Sequence, residues 1–231
     1  MGWNVNTTIH ETVSGGSSNQ LVKAAPAACA VGDGLTWWVT WGTTPGTLPD
    51  SVVDSLGHVF SLVPDTHKQD VGNAQAVAMY FCVATVAGTP TVTFTWPSSM
   101  AHRGCTLVPF NSTLGGVGLD QSKGQYEASS TSRSSGSVTP STDGQLCLSF
   151  TIDSQNGVNT ITPESTAVEN TGGTDGCCGQ YEIQTAAVAV SGDFVFSSSG
   201  AGCTVLATFK VLPIGPAKGL WRGMAHSQRA A

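Results

Sequence analysis

The stretch Thr91-Val92-Thr93-Phe94-Thr95-Trp96 decides the fold class, because apolar and hydroxyl side chains alternate along it with a period of two. Successive side chains of an extended strand point to opposite faces. The stretch therefore predicts a half-buried β-strand with Val, Phe and Trp on the core side and three threonines on the other. Ala87-Gly88-Thr89 just before it predicts a tight turn.

Neighbouring segments repeat this pattern of short β-type runs separated by Gly, Pro, Asp and Ser. Residues 35–41 (LTWWVTW) are strongly aromatic, and residues 77–84 (VAMYFCVA) are almost continuously apolar. Residues 52–63 (VVDSLGHVFSLV) are typical of a strand, a turn and a second strand. Long segments with an apolar period of 3.6 residues do not occur, so no helix is predicted.

The whole pattern predicts about ten to twelve short strands in one all-β domain, residues 1–213. Antiparallel strands joined by short turns favour a two-sheet β-sandwich, and we expect a jelly-roll-like topology. The pattern stops after Pro213, and residues 214–231 are predicted to form an extended C-terminal tail. Only 10% of the residues are charged, against about 25% in an average protein, so Ser, Thr, Asn and Gln must supply much of the surface.

The charges are unevenly distributed along the chain. Residues 1–209 contain all fifteen acidic residues and five of the nine basic ones, a net charge of −10, and four basic residues follow. The acidic body does not favour nucleic-acid binding. Two interpretations of the tail stay open: it docks on an acidic surface such as a neighbouring copy, or it is solvated. The tail residues predicted to bind a partner are Lys218, Trp221, Arg222 and Arg229.

The first six residues, Met1-Gly2-Trp3-Asn4-Val5-Asn6, lack the basic and apolar regions of a signal peptide. No apolar run approaches the roughly 18 residues that span a bilayer. We therefore expect a soluble protein made in the cytoplasm, without membrane partners. A secreted protein whose signal has been removed would look similar, so an extracellular or cell-surface location stays open.

The chain contains seven cysteines, an awkward number for a fully oxidised secreted protein. Cys82, Cys147 and Cys203 lie within or beside apolar runs and are predicted to be buried free thiols. Cys177 and Cys178 lie in a Gly-rich segment that is predicted to be a loop. A disulfide from one of these two to a distant cysteine stays open.

No catalytic or cofactor motif is present. The histidines do not form a metal-binding spacing, and there is no G-x-S-x-G sequence around a serine. The glutamates are predicted to be solvated rather than to form a glycosidase pair, and no loop has the calcium-binding order of an EF-hand. The sequence therefore predicts a protein that is not an enzyme and binds no cofactor or metal.

Trp38 is the candidate for an exposed aromatic residue. Trp37 and Trp41 share one face of their strand and are predicted to lie in the core, whereas Trp38 points the other way. If its face is exposed, Trp38 would stack on a sugar ring or fill a pocket of a partner. If both faces of the sheet are covered, Trp38 belongs to a core instead.

The order of these motifs resembles that of a known type of module. Gly32-Asp33-Gly34 leads the aromatic strand, the Val52–Val63 and Val77–Ala84 segments follow, and Ala-Gly-Thr-x-Thr-Val-Thr-Phe spans Ala87–Phe94. This order resembles β-sandwich modules of bacteriophage virion proteins and bacterial surface proteins. Those modules often carry a Glu-aromatic-Ser-Gly ending, whereas Leu107–Ser112 has Pro109 in place of the Glu and lacks the Gly.

The resemblance implies a structural or adhesive role, although fold analogy is weak evidence for function. The first expectation is a non-enzymatic virion structural protein: a phage capsid decoration, head-fibre or tail component. Its partners would be other virion proteins and copies of itself in a homo-oligomer, with a trimer as the first candidate. The alternative is a secreted bacterial carbohydrate-binding or adhesion module.

Overall fold

The computed structural model describes residues 2–6, 12–14, 16–42, 44–153, 158–161, 166–171 and 177–213. This part of the chain contains sixteen β-strands, and every pair of them is antiparallel. The strands are β1 (Trp3–Val5), β2 (Thr12–Ser14), β3 (Ser18–Ala24), β4 (Gly34–Gly42), β5 (Ser51–Asp54), β6 (Ser61–Leu62), β7 (Lys68–Asp70), β8 (Gln75–Val83), β9 (Thr91–Met100), β10 (Arg103–Ser112), β11 (Gly116–Ser134), β12 (Leu146–Asp153), β13 (Val158–Ile161), β14 (Thr166–Thr171), β15 (Cys177–Ile183) and β16 (Asp193–Leu212). The prediction of an all-β, antiparallel fold is confirmed.

The strands form three sheets. The central sheet has the order β1-β10-β4-β8-β6, and β2 and β7 also pair with β10 and β8. The three-stranded sheet has the order β3-β9-β5, and the six-stranded sheet has the order β11-β16-β12-β15-β14, with β13 beside β16. The first ten strands thus build two sheets that pack as a sandwich, and the last six build a third sheet.

The first core lies between the three-stranded sheet and the central sheet. Trp37 and Trp41 of β4 meet Phe94 and Trp96 of β9 there, together with Leu21 of β3. The burial of β9 alternates over Thr91–Trp96 as its sequence predicts, with the apolar residues buried and the threonines half-buried. The sequence-based assignment of Trp37 and Trp41 to the core is confirmed.

The second core lies on the opposite face of the central sheet. Trp38, Val108 and Phe110 contribute from that sheet, and Phe150 and Phe209 contribute from the six-stranded sheet. All nine residues of β4 are buried because this strand is central within its sheet and its sheet is the middle layer. The six-stranded sheet therefore extends the predicted sandwich by a third layer.

Two sequence-based expectations need correction. The structure has more strands than the ten to twelve predicted, partly because strands as short as Ser61–Leu62 give no periodic signal. Cys177 and Cys178 begin strand β15 rather than lying in a loop, since they pair with Ile152 and Thr151 of β12. The jelly-roll-like topology stays a prediction, and residues 214–231 lie outside the described residues.

Candidate functional site

The outward surface of the three-stranded sheet is built from cross-strand rows. Val22, Thr93 and Val53 lie side by side in the middle row, and Thr95 is flanked by Gln20 and Ser51 in the next. We call the outward side chains of these strands the threonine face, and all of them are uncharged: Gln20, Val22, Ala24, Ser51, Val53, Thr91, Thr93 and Thr95.

The middle row of the threonine face has an exposed valine on each side of Thr93. Val22 is 55% exposed and Val53 is 53% exposed. Val59, which is 83% exposed, pairs with Val53 through an isolated bridge and extends the row. Adjacent strands lie about 4.8 Å apart, so the row spans about 14 Å. Single exposed valines are ordinary, but three exposed valines in one uncharged row are typical of an interaction surface.

The outward surface of the six-stranded sheet has similar side chains but is covered. Ser149, Thr151, Thr204 and Thr208 lie on it, and each is at most 3% exposed. The hydroxyl oxygens of Thr151 and Thr204 lie 2.9 Å apart in a hydrogen bond. Two segments of the chain lie over this surface, and we call them the cover: residues 133–138 and 190–196.

The cover packs on the six-stranded sheet with apolar and polar contacts. Val190, with Val138 beside it, packs on Cys147 and Leu206, while Phe194 and Phe196 pack on Cys178. The backbone N–H of Gly192 donates to the hydroxyl of Ser135 at 2.8 Å and thereby joins the two segments. The outer face of β12 and β16 is thus covered by segments of the same chain.

Two adjoining cavities form a shallow groove where β1 and β10 meet the loop before β4. Their volumes are about 240 and 380 Å³, and both are lined by Asp33 and Asn111. Asn4 and Asn6 line the first, and Ser112 lines the second. We call the pair of cavities the amide groove.

Hydrogen bonds fix the polar groups of the amide groove. The side-chain N–H of Asn111 donates to Asp33 Oδ1 at 3.2 Å, and Asn4 donates to Asn111 Oδ1 at 2.9 Å. The other oxygen of Asp33 accepts the backbone N–H of Ala30 at 2.8 Å. Among the residues that line the two cavities, all within the described chain, Asp33 alone is charged. The groove therefore offers amides and one carboxylate to a ligand.

The rim of the amide groove is apolar and adjoins the end of the last strand. Val31 lines the groove and is 66% exposed. Gly116 lines the groove and pairs with Leu212, the last residue of β16, which is 41% exposed. The chain therefore leaves the sheet beside the groove.

Of the two alternatives for Trp38, the structure shows burial in a core and not an exposed platform. Trp38 is fully buried, and its ring stacks on Phe150 with the centroids 4.9 Å apart. A Cβ atom at Gly179 would lie 2.0 Å from the Trp38 ring, so the glycine lets β15 approach the indole. Both faces of the central sheet are covered, as in the alternative that the sequence left open.

The other predicted site residues belong to the tail. Lys218, Trp221, Arg222 and Arg229 all lie outside the described residues. The prediction that they bind a partner stays a prediction. Sequence analysis identified Asp33 and Asn111 only as parts of fold motifs, and it identified the threonines of β9 only as the outer face of a strand.

The buried side chains of Asp54 and His58 stabilise the turn that joins these two residues. His58 Nδ1 lies 2.7 Å from Asp54 Oδ2, and both side chains are fully buried. The other oxygen of Asp54 accepts the backbone N–H groups of Leu56 and His58, while His58 Nε2 lies 3.0 Å from the carbonyl oxygen of Val86. Each polar group of the pair is used within the fold, which favours a structural role.

Asp120 anchors the segment between the cover and β12. Burial alone would raise the pKa of its carboxyl, but hydrogen bonds from Ser141, Lys210 and Gln145 outweigh burial and lower the pKa to about 2. Lys210 Nζ lies 2.9 Å from Asp120 Oδ1, and Ser141 donates its backbone N–H at 2.7 Å. The carboxylate thus stays charged and fully engaged at neutral pH.

All seven cysteines are free and buried, which answers the open question about a disulfide from Cys177 or Cys178. Burial raises the pKa of Cys82, Cys147 and Cys203 to about 12 and keeps these thiols protonated at neutral pH. A nucleophilic or metal-binding cysteine needs the thiolate form. These three side chains therefore act as small apolar groups in the core.

Within the described residues, no three His, Cys, Asp or Glu side chains converge in a way that would hold a metal ion. The same part of the chain contains no helix long and apolar enough to cross a membrane. Comparisons with protein-family models, curated proteins and solved structures give no match. The function is therefore inferred from the threonine face and the amide groove.

Proposed function

We propose that this protein is a non-enzymatic virion structural protein that binds neighbouring subunits through its threonine face. It would serve as a phage capsid decoration, head-fibre or tail component, with copies of itself and other virion proteins as partners. The observation that carries the proposal is the uncharged row of Val22, Thr93, Val53 and Val59, whose three valines are exposed. Depletion of charge is the compositional mark of the centre of a protein interface.

The state of the cysteines supports this function over secretion. Seven free, buried thiols suit a protein that folds and assembles in a reducing compartment. The secreted carbohydrate-binding alternative loses its aromatic platform, because Trp38 is buried. It keeps one support, the amide groove, whose Asp33, Asn4 and Asn111 side chains suit the hydroxyls of a sugar.

The proposal is tested by placing a charged side chain in the middle of the threonine face. Thr93→Lys places an ammonium group among the exposed valines, where self-association would bury it unpaired. We expect the wild-type chain to form an oligomer and the variant to dissociate at least about tenfold more readily, because one unpaired charge costs more than 1.4 kcal/mol. Sedimentation velocity over a concentration series measures this, with Thr131→Lys on the exposed side of β11 as the matched control.

Two results would overturn the proposal. One is a wild-type chain that stays monomeric at every concentration; the other is a Thr93→Lys variant that assembles as the wild type does. Electron microscopy of the protein purified from its native source then examines the virion assignment, since a virion component must be found within symmetric particles. Loss of a glycan-array signal on Asp33→Asn would instead favour the carbohydrate-binding alternative.

A further inference from the structure

We propose that the C-terminal segment 214–231 of one copy binds in the amide groove of a neighbouring copy. This inference rests on the proposed function, because it needs copies that assemble. It adds to that function a binding site, the amide groove, and its ligand, the segment 214–231 of another copy.

The first support is position. Leu212 ends β16 and pairs with Gly116, which itself lines the amide groove. The segment 214–231 therefore starts at the border of the groove. Symmetry-related copies that meet near this border bring the start of one segment close to the groove of the next.

The second support is charge. The segment contains Lys218, Arg222 and Arg229 and no acidic residue. Asp33 is the one carboxylate of the groove, and each of its oxygens accepts a single hydrogen bond in the described structure. A carboxylate has about four acceptor positions, so Asp33 has capacity left for a cationic side chain of the segment.

The third support is the apolar rim. Val31 lines the groove and is exposed, and Leu212 is exposed beside Gly116, which also lines the groove. Trp221 is the only large aromatic residue of the segment. Its indole combines a wide apolar surface with one N–H donor, so it suits a site with an apolar rim and amide or carboxylate acceptors.

Reach favours a neighbouring copy over the same copy. Trp221 lies eight residues beyond Pro213, and eight extended residues span up to about 26 Å. The groove borders Leu212 directly, so an extended segment would carry Trp221 past its own groove and towards that of a neighbouring copy.

Photo-cross-linking of the full-length chain tests the inference. Trp221→p-benzoylphenylalanine places a photoreactive group at the proposed anchor, and a mixture of ¹⁵N-labelled and unlabelled copies is irradiated after assembly. We expect mass spectrometry to find residue 221 linked to peptides from 28–33 or 109–116. Linked pairs that combine a labelled and an unlabelled peptide identify binding between copies. Links to the groove only within single copies, or only to other surfaces, would overturn the inference.

A matched pair of acidic variants tests the charge contribution. Asp33→Asn keeps the shape and acceptor oxygen of the side chain but removes its charge, and should lower the yield of the groove cross-link about two- to fivefold. Asp65→Asn removes a carboxylate that is 40% exposed and belongs to neither the amide groove nor the threonine face, and it should leave the yield unchanged. Equal yields for the two variants would contradict the role of Asp33.

The same samples separate this inference from the proposed function. If the wild-type chain assembles and Thr93→Lys disperses it, but residue 221 never links to the groove, the segment does not bind there and the function stands. If the wild-type chain is monomeric in sedimentation, the function itself fails, and cross-links within one copy would then overturn binding to a neighbour.

Discussion

The outward surfaces of the two outer sheets make an informative pair. Both are rich in threonine and serine, and both lie on the far side of a sheet from an apolar core. Thr204 and Thr151 on the six-stranded sheet are at most 1% exposed beneath the cover, whereas Thr93 on the three-stranded sheet is half-buried and its neighbours Val22 and Val53 are exposed. The cover buries the outward side chains of β12 and β16, whereas the threonine face is exposed.

The difference shows that hydroxyl side chains can stabilise the fold on one surface and remain available to a partner on another. Beneath the cover, hydroxyl groups hydrogen-bond to one another and the side chains pack. On the threonine face, the same kind of side chain is left for solvent or for a partner. Substitutions on the two surfaces should therefore differ in what they damage: folding beneath the cover, and association on the threonine face.

The largest expected effect comes from a charge beneath the cover. Thr204→Lys would bury an ammonium group without a counter-charge and should lower the free energy of unfolding by about 3 to 5 kcal/mol. Urea unfolding followed by tryptophan fluorescence measures the loss. Thr93→Lys, at a concentration low enough to keep the chain monomeric, should change it by less than about 0.5 kcal/mol. Similar losses for both variants would remove the distinction between the two surfaces.

A smaller effect is expected where the cover touches the sheet. A Cβ atom at Gly192 would lie 2.3 Å from the Cβ of Ser149, so Gly192→Val should push the cover away from the six-stranded sheet. We expect a loss of about 1 to 3 kcal/mol in the free energy of unfolding and faster hydrogen exchange over residues 190–196. Gly16→Ala is the control, because a Cβ there meets nothing within 4 Å. If hydrogen exchange over residues 190–196 does not change, the contact between Gly192 and Ser149 does not hold the cover on the sheet.

The last prediction concerns pH and Asp120, which anchors the segment between the cover and β12. The pKa of Asp120 is about 2 in the folded chain and about 3.9 when unfolded, which corresponds to at most about 2.6 kcal/mol. Because the folded pKa is the lower one, this stabilisation is present above pH 4 and is lost as the pH falls towards 2. Asp120→Asn should remove this part of the pH dependence of unfolding. A variant with the same acid sensitivity as the wild type would exclude Asp120 as the anchor.

The sequence predicts the fold class well, because alternation is a local signal. Thr91–Trp96 shows both faces of β9 correctly, and the run 35–41 separates Trp37 and Trp41 from Trp38. What covers the Trp38 side depends on Gly179, far along the chain and in another sheet. A period-two pattern states which side chains share a face, but it carries no information about a second layer.

The candidate surfaces were harder to predict for the same physical reason. Asp33 and Asn111 are 78 residues apart, and only the pairing of β10 with β4 brings them together. The threonine face was visible as one strand of hydroxyl groups, but its valines come from β3 and β5. The cover left no signal, because Val138 and Val190 meet through an isolated bridge.

The position of β16 has a consequence for biosynthesis. This last strand lies between β11 and β12, so the six-stranded sheet cannot close until Leu212 has been made. At about 5 to 20 residues per second, roughly 5 to 20 s pass between the completion of β10 and that of β16 on the ribosome. If the first ten strands fold during that interval, Trp38, Met79 and Phe110 lie on a sheet face that the six-stranded sheet does not yet cover. We therefore expect the first half of this chain to bind chaperones that recognise apolar segments until β16 has been translated.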